Sequence, residues 1–283
     1  MITDFQANFV YFSDILNSEA KYAQLLENLS TALADSKVNF AFLSDTRDIW
    51  ARDYMPIQVA IDNFVEYRYD PDYLQGKKYR NNKSYPDYVC HKNGIETKKC
   101  DLILDGGNVI KSSDCIILTD KLVAENKSEY SKSALIAKIK DLFEVDKVVL
   151  IPWDKENDYL GHADGMVRFI DDNTILTQGY FERYPEKFKD QFFDVLTKNS
   201  LSWKCLSLEV EHPDERNWAY LNFLQTKDLI LVPSLGIDED QLALDQIKAH
   251  FPAYSSDRVK QIDMTDIVAE GGALNCISWS VAL

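Results

Sequence analysis

The sequence predicts an α/β chain of five ββαβ-like units set around a pseudo-fivefold axis. Two patterns carry that expectation. Polar motifs recur at a near-constant step, with Asp53, Asp105, Asp164, Asn222 and Cys276 separated by 52, 59, 58 and 54 residues. Short apolar strands, a polar turn and one amphipathic helix recur with them. A period of this size, with one helix and about three strands per unit, marks a repeat architecture. In a closed ring each motif lies at the same end of its unit and faces the axis, so groups far apart in sequence meet in one place. No linker or shift in composition divides the chain, which reads as a single domain over residues 1–283.

The elements follow in order. Tyr22, Leu25, Leu26, Leu29 and Leu33 share a helical face, with Asn17 or Ser18 as the expected N-cap, and Val38 to Leu43 follows as a strand. MPIQVAIDNFVEYRYD then reads as a hairpin. Gly76 to Cys100 is basic and turn-rich and reads as a surface loop, lid or solvated connector. A second hairpin, GNVIKSSDCIILTD, leads to a helix bearing Leu135, Ile136, Ile139, Leu142 and Phe143 and to a strand from Asp146 to Pro152. GMVRFIDDNTILTQG is the third hairpin. A helix starting at Pro185, with Phe188, Phe192, Val195 and Leu196 on one face, precedes a strand from Trp203 to Val210. LNFLQTKDLILVPSLG is the fourth, followed by a helix with Leu244, Ile247 and Phe251 and a strand from Val259 to Met264.

Composition limits the function. The balance of 31 basic and 46 acidic side chains, −15 in all, repels nucleic acid and anionic lipid and attracts a cationic small molecule. An acidic chain is also simply a soluble one, so the charge permits this reading without requiring it. No apolar run approaches the roughly 18 to 20 residues of a membrane span, and no leader is visible at the N-terminus. Five cysteines without a C-x-x-C spacing point to reduced thiols in a cytoplasmic setting, against a disulfide framework or zinc site.

The chemistry-bearing motifs each have a plain structural reading beside the functional one. In DTRDIWARDYMP, Asp53 offers a carboxylate to a planar cation and Trp50 an apolar or cation–π wall; the alternative is an Asp–Arg cluster at a strand end. LDGGNVI, with Asp105, is otherwise a glycine turn into a strand. In GHADGMVRF, His162 and Asp164 at i and i+2 project to one side of extended chain. His91, His212 and His250 sit in polar or helix-end contexts expected at the surface. EGGALNCISW ends in Cys276, a core cysteine after a glycine turn or else a nucleophile. Together a thiol, an imidazole and several carboxylates suit a positively charged electrophile, and a guanidinium can donate paired hydrogen bonds to two carboxylates. Metal binding is the weaker reading, because the thiol is a poor companion for hard carboxylates.

WARDYMP, LDGG, GHADG, YLNFL with LILVPSLGIDEDQLAL, and GG-x-x-x-C resemble the agmatine deiminase family, also called the Porphyromonas-type peptidyl-arginine deiminase family. The resemblance runs from about Val10 to the C-terminus. It implies the five-bladed α/β propeller of the pentein type and hydrolysis of a guanidino group to a ureido product and ammonia. By the same resemblance Cys276 is the nucleophile, His162 the general acid and base, and Asp105 its orienting group. Asp53 and Asp164 hold the guanidinium, and Trp50 lines the channel. No metal or organic cofactor is required, and the expected partner is a cationic guanidino small molecule. Self-association through exposed edges is left open. The pattern departs at Asp105, where the family usually carries glutamate, and at Asn275, where it usually carries histidine. Competing readings are amidinotransfer, action on arginine or peptidyl-arginine, and a catalytically silent guanidine-binding protein.

Overall fold

The computed structural model describes every residue except 157, 179–183, 209 and 211–213. Among the described residues, fifteen strands form five three-stranded sheets with one repeated plan. In each sheet a central strand pairs antiparallel with one neighbour and parallel with the other. The sheets are β3 (Ile57–Ala60), β4 (Asn63–Arg68) and β5 (Lys98–Ile103); then β6 (Ile110–Lys111), β7 (Cys115–Thr119) and β8 (Lys147–Ile151). The third joins β9 (Val167–Phe169), β10 (Thr174–Gln178) and β11 (Ser202–Leu206), and the fourth β12 (Leu224–Gln225), β13 (Ile230–Ser234) and β14 (Val259–Asp263). The fifth joins the chain ends: β15 (Ser278–Val281) pairs antiparallel with β1 (Phe9–Ser13), which runs parallel to β2 (Asn39–Leu43).

Local chemistry explains the hairpins and helices. Asp171 Oδ1 accepts from the backbone N–H groups of Asn173 (2.9 Å) and Thr174 (2.7 Å), closing the turn between β9 and β10. Ser131 caps helix Lys132–Phe143 by accepting from the Ala134 N–H, and Glu144 ends it in the left-handed conformation. Leu135, Ile139, Leu142 and Phe143 form its buried face. Helices Glu186–Lys198 and Glu239–His250 occupy the expected stretches, the first beginning one residue after Pro185.

Three local expectations give way. The first long helix spans Ala23–Asp35 and has no side-chain cap, so Asn17 and Ser18 do not cap it. The chain breaks at Glu19, which is extended, and a 3-10 turn brings Lys21 and Tyr22 onto the Glu270 carboxylate at 2.9 and 3.0 Å. The stretch Gly76 to Cys100 is more ordered than a connector: it holds helix Pro86–Lys92, whose Val89 and Cys90 are buried, and it enters β5. Strand Trp203 to Val210 shortens to β11, and residue 209 of the expected strand lies outside the described residues, as does His212.

The core comprises three apolar clusters. One spans the first helix, β13, β14 and helix Glu239–His250; the second lies under β4, β5 and helix Lys132–Phe143; the third lies between β8, β10 and helix Glu186–Lys198. Among the described residues no helix is long and apolar enough to cross a membrane, and all five cysteines are free thiols.

Candidate active site

Each motif residue sits in a short turn just before the antiparallel edge strand of its sheet. Asp53 lies in Ala51–Tyr54, Asp105 directly precedes Gly106–Asn108, Asp164 lies in Ala163–Gly165 and Asn222 ends Glu215–Leu221. Cys276 lies in the turn that leads into β15. The 3-10 turn at 163–165 replaces the extended geometry expected there, yet His162 and Asp164 still line one cleft. Asp53, Asp105, His162, Asp164 and Cys276 are all buried.

The thiol is held by its neighbours. Cys276 Sγ lies 3.2 Å from Asn222 Oδ1 and 3.8 Å from Asp164 Oδ2. The same Asn222 oxygen accepts from the Cys276 backbone N–H at 3.2 Å. Asn275 donates its side-chain amide to Asp164 Oδ2 at 2.7 Å, a charge-assisted bond that orients the carboxylate toward the thiol. Asn275, one of two expected departures, thus has a partner inside the site.

The imidazole stands between two carboxylates. His162 Nε2 is 3.1 Å from Asp105 Oδ2, and Nδ1 is 3.7 Å from Asp53 Oδ1. Asp53 Oδ1 also accepts from the Gly107 N–H at 3.1 Å. A Cβ at Gly107 would lie 2.6 Å from both Asp53 Oδ1 and His162 Nδ1, so only glycine lets the two side chains approach this turn. Asp158 Oδ2 accepts from the His162 backbone N–H at 3.0 Å.

Electrostatics follow from burial in an acidic setting. Burial pushes the Cys276 thiol well above its ordinary range, and Asp164 and then Asp53 push it further. Burial also raises the Asp53 carboxyl to about 7, with His162 pulling the other way. For His162 burial disfavours the cation, but Asp53, Asp105 and Asp164 outweigh it and lift the imidazole to about 10. The pocket therefore holds more carboxylate than cation, and an incoming positive charge relieves it.

A cleft of about 610 Å³ opens over His162, Asp164 and Cys276, with Asp158, Tyr159, Tyr184 and Trp218 among its lining. Asp53, Asp105 and Trp50 are not among the described residues that line it. Asp53 and Asp105 touch the imidazole instead. Trp50 packs against Gly272, where a Cβ would lie 2.2 Å from the ring, so the indole buttresses the Gly271–Gly272 turn. Asn222 was legible as a motif position without a role, and the fold puts its amide on the thiol. Asp158, Tyr73 and Lys121 carry no motif of their own, and only packing places them at the site. Among the described residues no group of three His, Cys, Asp or Glu side chains is arranged to hold a metal ion.

A family model described as Porphyromonas-type peptidyl-arginine deiminase matches residues 2–281. Relatives from Enterococcus faecalis and Mycoplasma capricolum, provisionally named agmatine deiminases, are 25% and 23% identical over 67% of this chain. The match spans 60% of the length of those curated relatives. The solved C. jejuni agmatine deiminase superposes with a TM-score of 0.75 at 18% identity, covering 100% of this chain and 95% of its own. A cysteine-to-serine variant of that protein has been solved with substrate bound. The agmatine deiminase of Enterococcus faecalis superposes with a TM-score of 0.71 at 17% identity, covering 100% of this chain and 95% of its own. At these identities the superpositions establish a shared mixed α/β fold built from small sheets.

Proposed function

The chain belongs to the Porphyromonas-type peptidyl-arginine deiminase family, and on that premise we propose that it hydrolyses the guanidino group of agmatine or a related small cation to a ureido product and ammonia. The observation that carries this is the Cys276 thiol, set 3.8 Å from the Asp164 carboxylate in a cleft it shares with His162. A thiol facing carboxylates is poorly ionised until a cation enters. A guanidinium supplies that cation and presents an electrophilic carbon to the sulfur.

Asp164 and Asp53 supply the two carboxylates for the guanidinium N–H groups. As the cation enters, the Cys276 thiol releases its proton to solvent, and the thiolate attacks the guanidinium carbon. His162 gives its proton to the departing nitrogen; the C–N bond breaks, ammonia leaves and an amidino-cysteine remains. His162 then takes a proton from water as the water oxygen bonds to the same carbon. The C–S bond breaks, the thiolate is restored, the remaining hydroxyl proton passes to solvent and the neutral ureido product leaves. Asp105 holds the imidazole through both transfers.

On this reading the five sheets are the blades of a five-bladed propeller around the site, and residues 1–283 form a single domain. The deciding experiment measures ammonia release from agmatine, arginine and peptidyl-arginine without an added amine acceptor, with Cys276→Ala as control. Release from agmatine by wild type alone supports the reading. Release from none of the three substrates rejects it, and dependence on an added amine turns it into amidinotransfer.

A further inference from the structure

Lys121 opens the short helix Lys121–Asn126 and is 1% exposed, an uncommon place for an ammonium unless it is well paired. Its Nζ lies 2.8 Å from Glu125 Oε1, 3.2 Å from Asp72 Oδ1 and 4.0 Å from Asp105 Oδ2. The rings of Tyr73 and Trp153 flank it at 5.2 and 5.8 Å. Tyr73 donates its hydroxyl to Asp105 Oδ2 at 3.1 Å, the same oxygen that meets His162 Nε2. Asp105 Oδ1 is buried without a hydrogen-bond partner, so this one oxygen carries the carboxylate's contacts. On the other side Gly161, at φ +68°, closes against the lysine: a Cβ there would lie 2.5 Å from Lys121 Cδ. Gly161 directly precedes His162, so the lysine packs against the backbone leading into His162 and approaches its partner Asp105.

The charges around this pair are unequal. His162 faces Asp53, Asp105, Asp164 and Asp158, with the Cys276 thiol in the same cleft and the Tyr73 ring edge-on at 6.3 Å. Among the described residues Lys121 provides the one Lys or Arg nitrogen within 4.0 Å of the Asp53, Asp105 or Asp164 carboxylates. Every added carboxylate tightens the imidazole's hold on its proton, whereas an acid–base catalyst works best when that proton moves near the operating pH.

We propose that Lys121 is a positioning residue for His162: its buried ammonium anchors Asp105 and offsets the carboxylate charge around the imidazole, which keeps the proton transferable. The step it serves rests on the deiminase reading; its effect on the imidazole does not. The sign is set by Coulomb's law. Removing a positive charge beside the pair raises the proton affinity of the imidazole and favours a bound cation.

The test uses full-length Cys276→Ala protein, which does not turn over, and follows the His162 imidazole by NMR from about pH 6 to about pH 11. The His162 signal is identified by its loss in His162→Gln. Lys121→Met and a second neutral variant, Lys121→Gln, are expected to raise the His162 midpoint by about one pH unit, while Lys121→Arg stays within about 0.3. A midpoint unchanged or lowered in the neutral variants overturns the proposal. With Cys276 intact, the neutral variants are expected to lose about tenfold in kcat while KM for agmatine holds or falls. An unaltered kcat, or a raised KM with kcat intact, also overturns it. Absence of ammonia release from the unmodified chain rejects the deiminase reading instead and leaves the NMR midpoint to decide the role of Lys121.

Discussion

Asp164 Oδ2 lies 3.8 Å from Cys276 Sγ, so the candidate nucleophile rests against a negative charge. This contact separates thiol reactivity from turnover. Asp164→Asn removes the charge and keeps the shape. It is expected to speed iodoacetamide labelling of Cys276 about tenfold at pH 8, while turnover of a guanidino substrate falls at least about a hundredfold. Peptide mass spectrometry distinguishes Cys276 from the exposed Cys205. Slower labelling in the variant would contradict the electrostatic account.

Asn222 lets the opposite change be made at the same sulfur. Its Oδ1 accepts from both the thiol and the Cys276 backbone N–H. Asn222→Asp adds a charge 3.2 Å from the sulfur and is expected to slow labelling, the reverse of Asp164→Asn. Asn222→Ala leaves the Cys276 N–H unpaired and is expected to lower stability by about 1–3 kcal/mol in chemical denaturation. Equal labelling rates in the two charge variants would show that neither side chain sets the thiol's acidity.

Gly107 is a steric requirement. An alanine methyl would sit 2.6 Å from both Asp53 Oδ1 and His162 Nδ1, so Gly107→Ala has to push the pair apart. A shift of about 1 Å in a reacting constellation costs on the order of a hundredfold in rate, and the crowding costs about 1–3 kcal/mol of stability. Wild-type turnover in this variant would mean that the approach of His162 to Asp53 is unimportant.

The raised proton affinities also set how stability changes with pH. The His162 imidazole titrates at about 10 when folded, against its ordinary 6.5. Its stabilising contribution is therefore fully present below about pH 6.5 and is lost as pH rises through about 10. Asp53, raised from 3.8 to about 7, acts in the same direction over its own interval. Thermal unfolding is expected to show wild type losing its margin over His162→Gln between pH 7 and pH 10. A margin that grows over that interval would reverse the assignment.

Much of the fold could be read in the residues because it depends on local rules. Apolar alternation marked the hairpins, and helical spacing marked four long helices. The step between polar motifs indicated five like units, which correspond to five sheets of one strand order. Where end effects dominate, the reading failed. The expected caps at Asn17 and Ser18 lost to the contacts of Lys21 and Tyr22 with Glu270, a partner about 250 residues away.

Cys276, His162, Asp105, Asp53 and Asp164 could be named as candidates from the linear chain, since residue type, periodic placement and motif resemblance are all linear properties. Their division into a thiol side and an imidazole side arises only in three dimensions. Cys276 meets Asn222 and Asp164, and His162 meets Asp53 and Asp105. The same packing turns Trp50 onto Gly272 and carries Lys121 and Tyr73 up to Asp105. None of these contacts leaves a periodic trace: most join positions from different units, and the Lys121–Asp105 contact inside one unit needs no repeat, since a single buried cation serves one place only. A periodic pattern brings the units to one centre. Close packing among non-repeating side chains then decides which atoms touch there, and so which proton can move.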